Sequence, residues 1–125
     1  MDEWKFPNFK PEEFACRHCG ENKINLDFVA KLQELRTAVN MPLKITSGYR
    51  CKDHPIEARK KTPGAHNEGS AVDINCAGSD AYKIISMALE LKFPRIGVNM
   101  KGDYNTRFIH LDCSETRPGP TIWSY

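Results

Sequence analysis

The 125 residues are enough for one domain with one core and too few for two. Hydrophobic residues at 40% and charged residues at 27% are ordinary for a globular chain, and a net charge of +2 gives no field that would point to nucleic acid. No apolar run approaches the ~20 residues needed to cross a bilayer, so neither nucleic acid nor membrane is expected as a partner, and a monomer is expected.

The N-terminal stretch MDEWKFPNFKPEEF is acidic and aromatic and has nothing of signal-peptide type, so synthesis in a cytoplasm is expected, with another route to any work outside it. Residues 1–24 read as irregular, with Pro7 and Pro11 as breakers. A helix is expected after Asn25, which can cap it, as far as Asn40. Phe28, Leu32, Leu35 and Val39 form its apolar side, and Pro42 follows as a stop. LKITS at 43–47 reads as a strand. Residues 48–64 read as a long polar loop containing Gly48, Pro55, Pro63 and Gly64, and a loop of that length in a small domain is usually functional. Its basic residues, in RCKDHPIEARKK, read as a solvated surface. SAVDI at 70–74 reads as a short strand, and Ser79 as the cap of a second helix to about Lys92. RIGVN at 95–99 and RFIHLD at 107–112 read as strands separated by a turn-rich segment. The order implies a small α+β fold, with an antiparallel sheet and the helices on one face.

Strand alternation decides which side chains meet. In 70–74, Val72 and Ile74 share one face and Asp73 the other; in 107–112, Ile109 and Leu111 share one face while Phe108, His110 and Asp112 share the other. With the aliphatic faces under the helices, Asp73 and His110 project from the same open face if the strands are neighbours. His66 lies seven residues before Asp73, ~23 Å away if fully extended. Gly69 permits a bend that folds it back over the sheet. Two imidazoles and one carboxylate are a common ligand set for catalytic zinc, which keeps a fourth position open. Either histidine alone reads more readily as a surface or core residue than as a ligand; the joint pattern of His66, Asp73 and His110 points to metal.

SGYR at 47–50, His-x-x-Gly-x-Ala-x-Asp at 66–73 and FIHLD at 108–112 resemble the zinc D-alanyl-D-alanine carboxypeptidases and the related bacteriophage L-alanyl-D-glutamate endolysins. The family they resemble also includes the D-Ala-D-Ala dipeptidases and the hedgehog signalling domain. The resemblance spans roughly residues 24–113, with the motifs in the family's order. It implies zinc bound by His66, Asp73 and His110, an α+β fold of hedgehog type, and a substrate carboxylate held by Arg50, whose planar guanidinium suits that task. A buried salt bridge is the other reading of Arg50, and Ser47 either orients substrate or closes a turn. The chain departs from the family at Gly64, where serine is usual, and at Arg107 and Phe108, where a catalytic histidine or carboxylate commonly stands. The remaining candidates for a proton acceptor are Asp112, which can equally orient a metal ligand or make a structural hydrogen bond, and Asp103 in the preceding turn. Glu68 is expected to face solvent. Tyr49, Trp123 and Tyr125 can wall a groove or fill the core.

Five cysteines stand at 16, 19, 51, 76 and 113, so at least one is unpaired within the chain. Cys16, Cys19, Cys51 and His54, from Cys-x-x-Cys and Cys-x-x-His, can supply the four ligands of a structural zinc; free thiols or one disulfide are the alternatives. Cys76 and Cys113 read as small buried residues. The function expected is a zinc peptidase cutting peptidoglycan stem peptides, of phage endolysin type. It would reach the wall after release from the cytoplasm or as part of a virion. A D,D-carboxypeptidase and a catalytically silent zinc-binding module are the alternatives.

Overall fold

The computed structural model describes residues 4–60 and 64–125; Lys61 and Pro63 of the long loop lie outside them. The first long helix, α1 (Leu26–Val39), begins where the Asn25 side chain accepts the backbone N–H groups of Asp27 and Phe28. It ends where Asn40 adopts the left-handed region at φ 51°. Phe28, Val29, Leu32, Leu35 and Val39 are its buried side.

Two one-turn helices follow, α2 (Pro55–Ala58) within the long loop and α3 (Ala65–Glu68) directly after it. The second long helix, α4 (Gly78–Glu90), starts one residue before the expected Ser79. Ala77 stands at its N-cap, without a side-chain cap, and the helix turns off before Lys92, whose φ is 61°. Short 3-10 turns occupy Pro11–Phe14 and Tyr104–Thr106.

Five strands form one sheet: β1 (Lys44–Ser47), β2 (Ala71–Asn75), β3 (Arg95–Asn99), β4 (Phe108–Asp112) and β5 (Thr121–Ser124), in the order β1-β2-β4-β3-β5. The first four pair antiparallel, as expected, whereas β5 runs parallel to β3 and makes the sheet mixed. Beneath the sheet, Ile45, Val72, Ile74, Ile96, Ile109 and Leu111 form a continuous core with the buried sides of α1 and α4, among them Ile84 and Ala88. Each such side chain contributes ~1.5–3 kcal/mol by leaving water. None of the described helices is long and apolar enough to cross a membrane.

The sheet's other face carries the polar residues. Across it, Ser47, Asp73, His110, Gly97 and Trp123 lie at one level, each paired in register with the next. A register shift between Ile45 and Ser47 brings Ser47 opposite Asp73. The next level holds Ala71, Asp112, Arg95 and Thr121.

Candidate active site

The pairing of β2 with β4 sets Asp73 beside His110, and Asp73 Oδ1 lies 3.1 Å from His110 Nδ1. His66 reaches the same oxygen from α3, with Nε2 at 3.3 Å. The fold-back is made by Gly69, at φ 78°. A Cβ there would come within 2.2 Å of the Lys23 carbonyl oxygen, so both the conformation and the space demand glycine. One ligand atom from each of His66, Asp73 and His110 falls within 4.8 Å of the others, and all three residues are buried.

The donor chemistry of this trio fits zinc. The other nitrogen of His66, Nδ1, lies 2.8 Å from the Gly48 carbonyl oxygen, which can only accept; Nδ1 therefore carries the proton and Nε2 keeps its lone pair toward Asp73. On His110 the assignment is reversed. Nε2 donates to Asp112 Oδ2 at 2.5 Å, leaving Nδ1 for the trio. The second oxygen of Asp73 receives Arg50 Nη2 at 3.3 Å.

These contacts set the protonation of the site. Burial alone would push Asp73 upward, but in the metal-free site protonation of the imidazoles against it, His110 first and then His66, outweighs burial and holds the carboxyl well below the usual range. Burial lowers His66. Burial acts the same way on His110, yet the bonds to Asp112 and Asp73 prevail and raise it. Ring centroids of the two histidines are 5.0 Å apart.

Asp112 is fully buried on the open face. Besides His110 it accepts Arg95 Nε at 2.9 Å and the Ser114 N–H at 3.0 Å. Asp103 is exposed in the turn before the second 3-10 segment and does not line the cleft. Arg50 is 9% exposed and bonds three neighbours: Nε on Ser47 Oγ at 3.1 Å, Nη1 on Glu57 at 3.4 Å and Nη2 on Asp73. Ser47 thus holds Arg50. Glu68 faces solvent and bonds Ser114 and Thr116.

A cleft of about 420 Å³ lies over the trio, with Phe108, Trp123 and Tyr125 along one side. Trp123 sits against Gly97, where a Cβ would meet indole atoms at 2.7–2.8 Å, and its ring lies 5.3 Å from that of His110. The expected groove wall of Trp123 and Tyr125 is there, whereas Tyr49 is buried elsewhere.

Three participants were not legible as such. Glu57, in the supposedly solvated loop, is 3% exposed and ties Arg50 to Lys60 and to the Gly64 N–H. Arg95 braces Asp112. His18 lies 3.5 Å, through Nδ1, from Cys51 Sγ.

The sulfurs of Cys16, Cys19 and Cys51 gather within 4.8 Å of one another, and no described cysteine is in a disulfide. The structure does not bring His54 into this group; its Nδ1 accepts the Ile56 N–H and starts α2. Cys76 and Cys113 are half-buried rather than buried. Burial pushes the Cys76 thiol up to about 11.

A family model described as Peptidase M15 matches residues 7–112, most of the chain, including His66, Asp73, His110, Arg50 and Asp112. The chain belongs to the Peptidase M15 family. It is accordingly a zinc metallopeptidase, and peptidases of this family act on peptidoglycan peptides. No curated protein matches the chain. For this M15 peptidase the family's zinc and the buried His-Asp-His cluster agree.

Proposed function

We propose that this M15 peptidase is an endopeptidase of the phage endolysin type, cutting inside the peptidoglycan stem peptide after L-alanine. His66 Nε2, Asp73 and His110 Nδ1 would hold the zinc. When bound, the metal acts as a Lewis acid toward the scissile carbonyl and makes water a better nucleophile near neutral pH.

The chain's own residues supply orientation. Gly48 fixes the His66 ring through Nδ1, Asp112 fixes the His110 ring through Nε2, and Arg50 fixes Asp73 through its second oxygen. Asp112 is closed off from solvent and reaches the metal position only through His110, so its role here is to position that ring and keep it basic. Asp73 and Asp112 are the carboxylates lining the cleft among the described residues. Phe108, Trp123 and Tyr125 offer an apolar wall along which an extended peptide can lie.

The observation that favours an endopeptidase over a carboxypeptidase is the state of Arg50. A carboxypeptidase needs a cation near the metal to receive the free terminal carboxylate. Arg50, the guanidinium against Asp73, bonds Ser47, Glu57 and Asp73, so two carboxylates already balance its charge. Arg95, Lys60 and Arg117 also line the cleft, and Arg95 and Lys60 are paired with Asp112 and Glu57.

Mass spectrometry of muropeptides digested by the zinc-loaded protein tests the reading. The expected products separate L-alanine from the rest of the stem peptide, and His110→Ala yields none. Release of a single terminal alanine would establish a carboxypeptidase instead. Intact muropeptides despite bound zinc would mean a silent binding module.

A further inference from the structure

A second cluster, apart from the cleft, is formed by two distant pieces of chain. The turn Cys16–Cys19 closes on itself through the Gly20 N–H, which donates to the Cys16 carbonyl at 2.8 Å. The Cys51 N–H donates to Cys16 Sγ at 3.3 Å. Glu21 N–H donates to Cys19 Sγ at 3.4 Å. Sulfurs that collect backbone donors are being treated as thiolates, which is how metal-bound cysteines are supported. A disulfide would use two of the three sulfurs and strand the third.

We propose that Cys16, Cys19 and Cys51, completed by the imidazole of His18, bind a structural zinc ion. The distances are right for it. With Zn–S of ~2.3 Å and Zn–N of ~2.0–2.1 Å, a tetrahedral site has S–S edges of about 3.8 Å and S–N edges of about 3.6 Å. The sulfurs lie within 4.8 Å of one another, and His18 Nδ1 is already 3.5 Å from Cys51 Sγ. Closing the cluster needs side-chain adjustments of about 1 Å, with the exposed His18 ring swinging in.

The position gives the ion a purpose. Cys51 directly follows the segment that serves the cleft. Within it, Gly48 accepts from His66, the Arg50 N–H donates to the His66 carbonyl at 3.2 Å, and the Arg50 side chain holds Asp73. The same segment is tied to the N-terminal region by the Tyr49 N–H, which donates to the Phe14 carbonyl at 2.8 Å. Zinc at the cysteines would lock that tie and hold the supports of the trio in place, without touching substrate.

Native mass spectrometry of the full chain purified with zinc should count two ions. The double variant His66→Ala/His110→Ala should keep one and Cys51→Ser should lose one. Cobalt loaded into the His66→Ala/His110→Ala protein should give a thiolate-to-cobalt charge-transfer band, which a His-Asp-His site cannot produce. Because a cysteine variant can fail to fold, the unmutated protein supplies a second readout. Alkylation of three cysteines should be slow with zinc present and should accelerate on chelation. His18→Ala should weaken retention of this ion at least tenfold, with His54→Ala near the parent. One ion in the parent, no charge-transfer band, or a disulfide among Cys16, Cys19 and Cys51 in the purified protein would overturn the site. Loss on His54→Ala alone would overturn the fourth ligand. None of these readouts depends on which peptide bond the cleft cuts.

Discussion

Replacing Asp112 by asparagine keeps the shape of the side chain and removes its charge. In the parent, Asp112 accepts from three donors: His110 Nε2 at 2.5 Å, Arg95 Nε at 2.9 Å and the Ser114 N–H at 3.0 Å. An amide has one acceptor oxygen, so either His110 or Arg95 then faces an N–H group. Loss of the hydrogen-bond partner behind a metal-bound histidine typically costs 10–100-fold in metal affinity, about 1.4–2.8 kcal/mol. Arg95, whose side chain is 13% exposed, keeps the Pro118 carbonyl but loses its counter-charge, which costs folding stability about 1.5–3 kcal/mol. Zinc affinity by chelator competition and urea unfolding of the metal-free protein measure the two losses separately. If Asp112 acts only through His110, excess zinc restores most of kcat. If it takes a proton from the reacting water, kcat stays low at full zinc occupancy, with a changed pH profile. Parent-like zinc affinity in Asp112→Asn, together with loss of zinc in His110→Ala, would refute the positioning role.

Gly97→Ala places a Cβ 2.7–2.8 Å from the Trp123 indole, against an ordinary contact of ~3.5–4.0 Å. The ring must retreat by about 1 Å; a loss of ~1–3 kcal/mol in stability is expected by denaturation, and it should shrink in the background of Trp123→Ala, which removes the clash. Glu57→Gln should destabilise the protein by ~1–3 kcal/mol at pH 7, because it removes one of the two carboxylates beside buried Arg50 and an acceptor for Lys60 and the Gly64 N–H. Burial pushes the Glu57 carboxyl up, but the Gly64 N–H and the charges of Lys60 and Arg50 outweigh it and leave it below the ordinary range. A depressed carboxyl contributes stability that is complete above its unfolded pKa of ~4.3 and is lost as pH falls through the folded value. The gap between Glu57→Gln and parent should therefore be widest near neutrality and narrow in acid, as unfolding midpoints at pH 7 and pH 3.5 would show. Cys76, raised to about 11, carries roughly one thiolate in ten thousand at pH 7 and should be slow toward iodoacetamide; rapid labelling in the native state would contradict its burial.

The parts of this molecule that repeat with a period were legible from sequence. Alternation in AVDIN and FIHLD put Asp73 and His110 on one face, and their register then follows from the aliphatic residues on the other. The helix over Leu26–Val39 had both its period and its Asn25 cap. His66 needed the αL conformation of Gly69, a single-residue feature that the bend at that position announced. The one-turn helix carrying His66 has no period to read. β5 escaped because its partner β3 lies far back in the chain and runs parallel, so no hairpin turn marks it. Glu57 and Arg95 escaped for a different reason: charged residues read as solvated until the partners that allow their burial are known, and Arg95 meets Asp112 across the sheet while Glu57 meets Arg50 and Lys60 only once the loop is folded. His18 was passed over because it stands between the two cysteines of CRHC, whereas its approach to Cys51 depends on the tertiary structure.

A zinc-edge anomalous difference map from crystals of the zinc-loaded protein is the most direct test of the claim that three side chains from α3, β2 and β4 build the metal centre. The expected peak lies about 2.0–2.2 Å from His66 Nε2, an Asp73 carboxylate oxygen and His110 Nδ1. Zinc absent from that point in an active crystal form, or bound there through His110 Nε2 with Asp112 turned away, would contradict it.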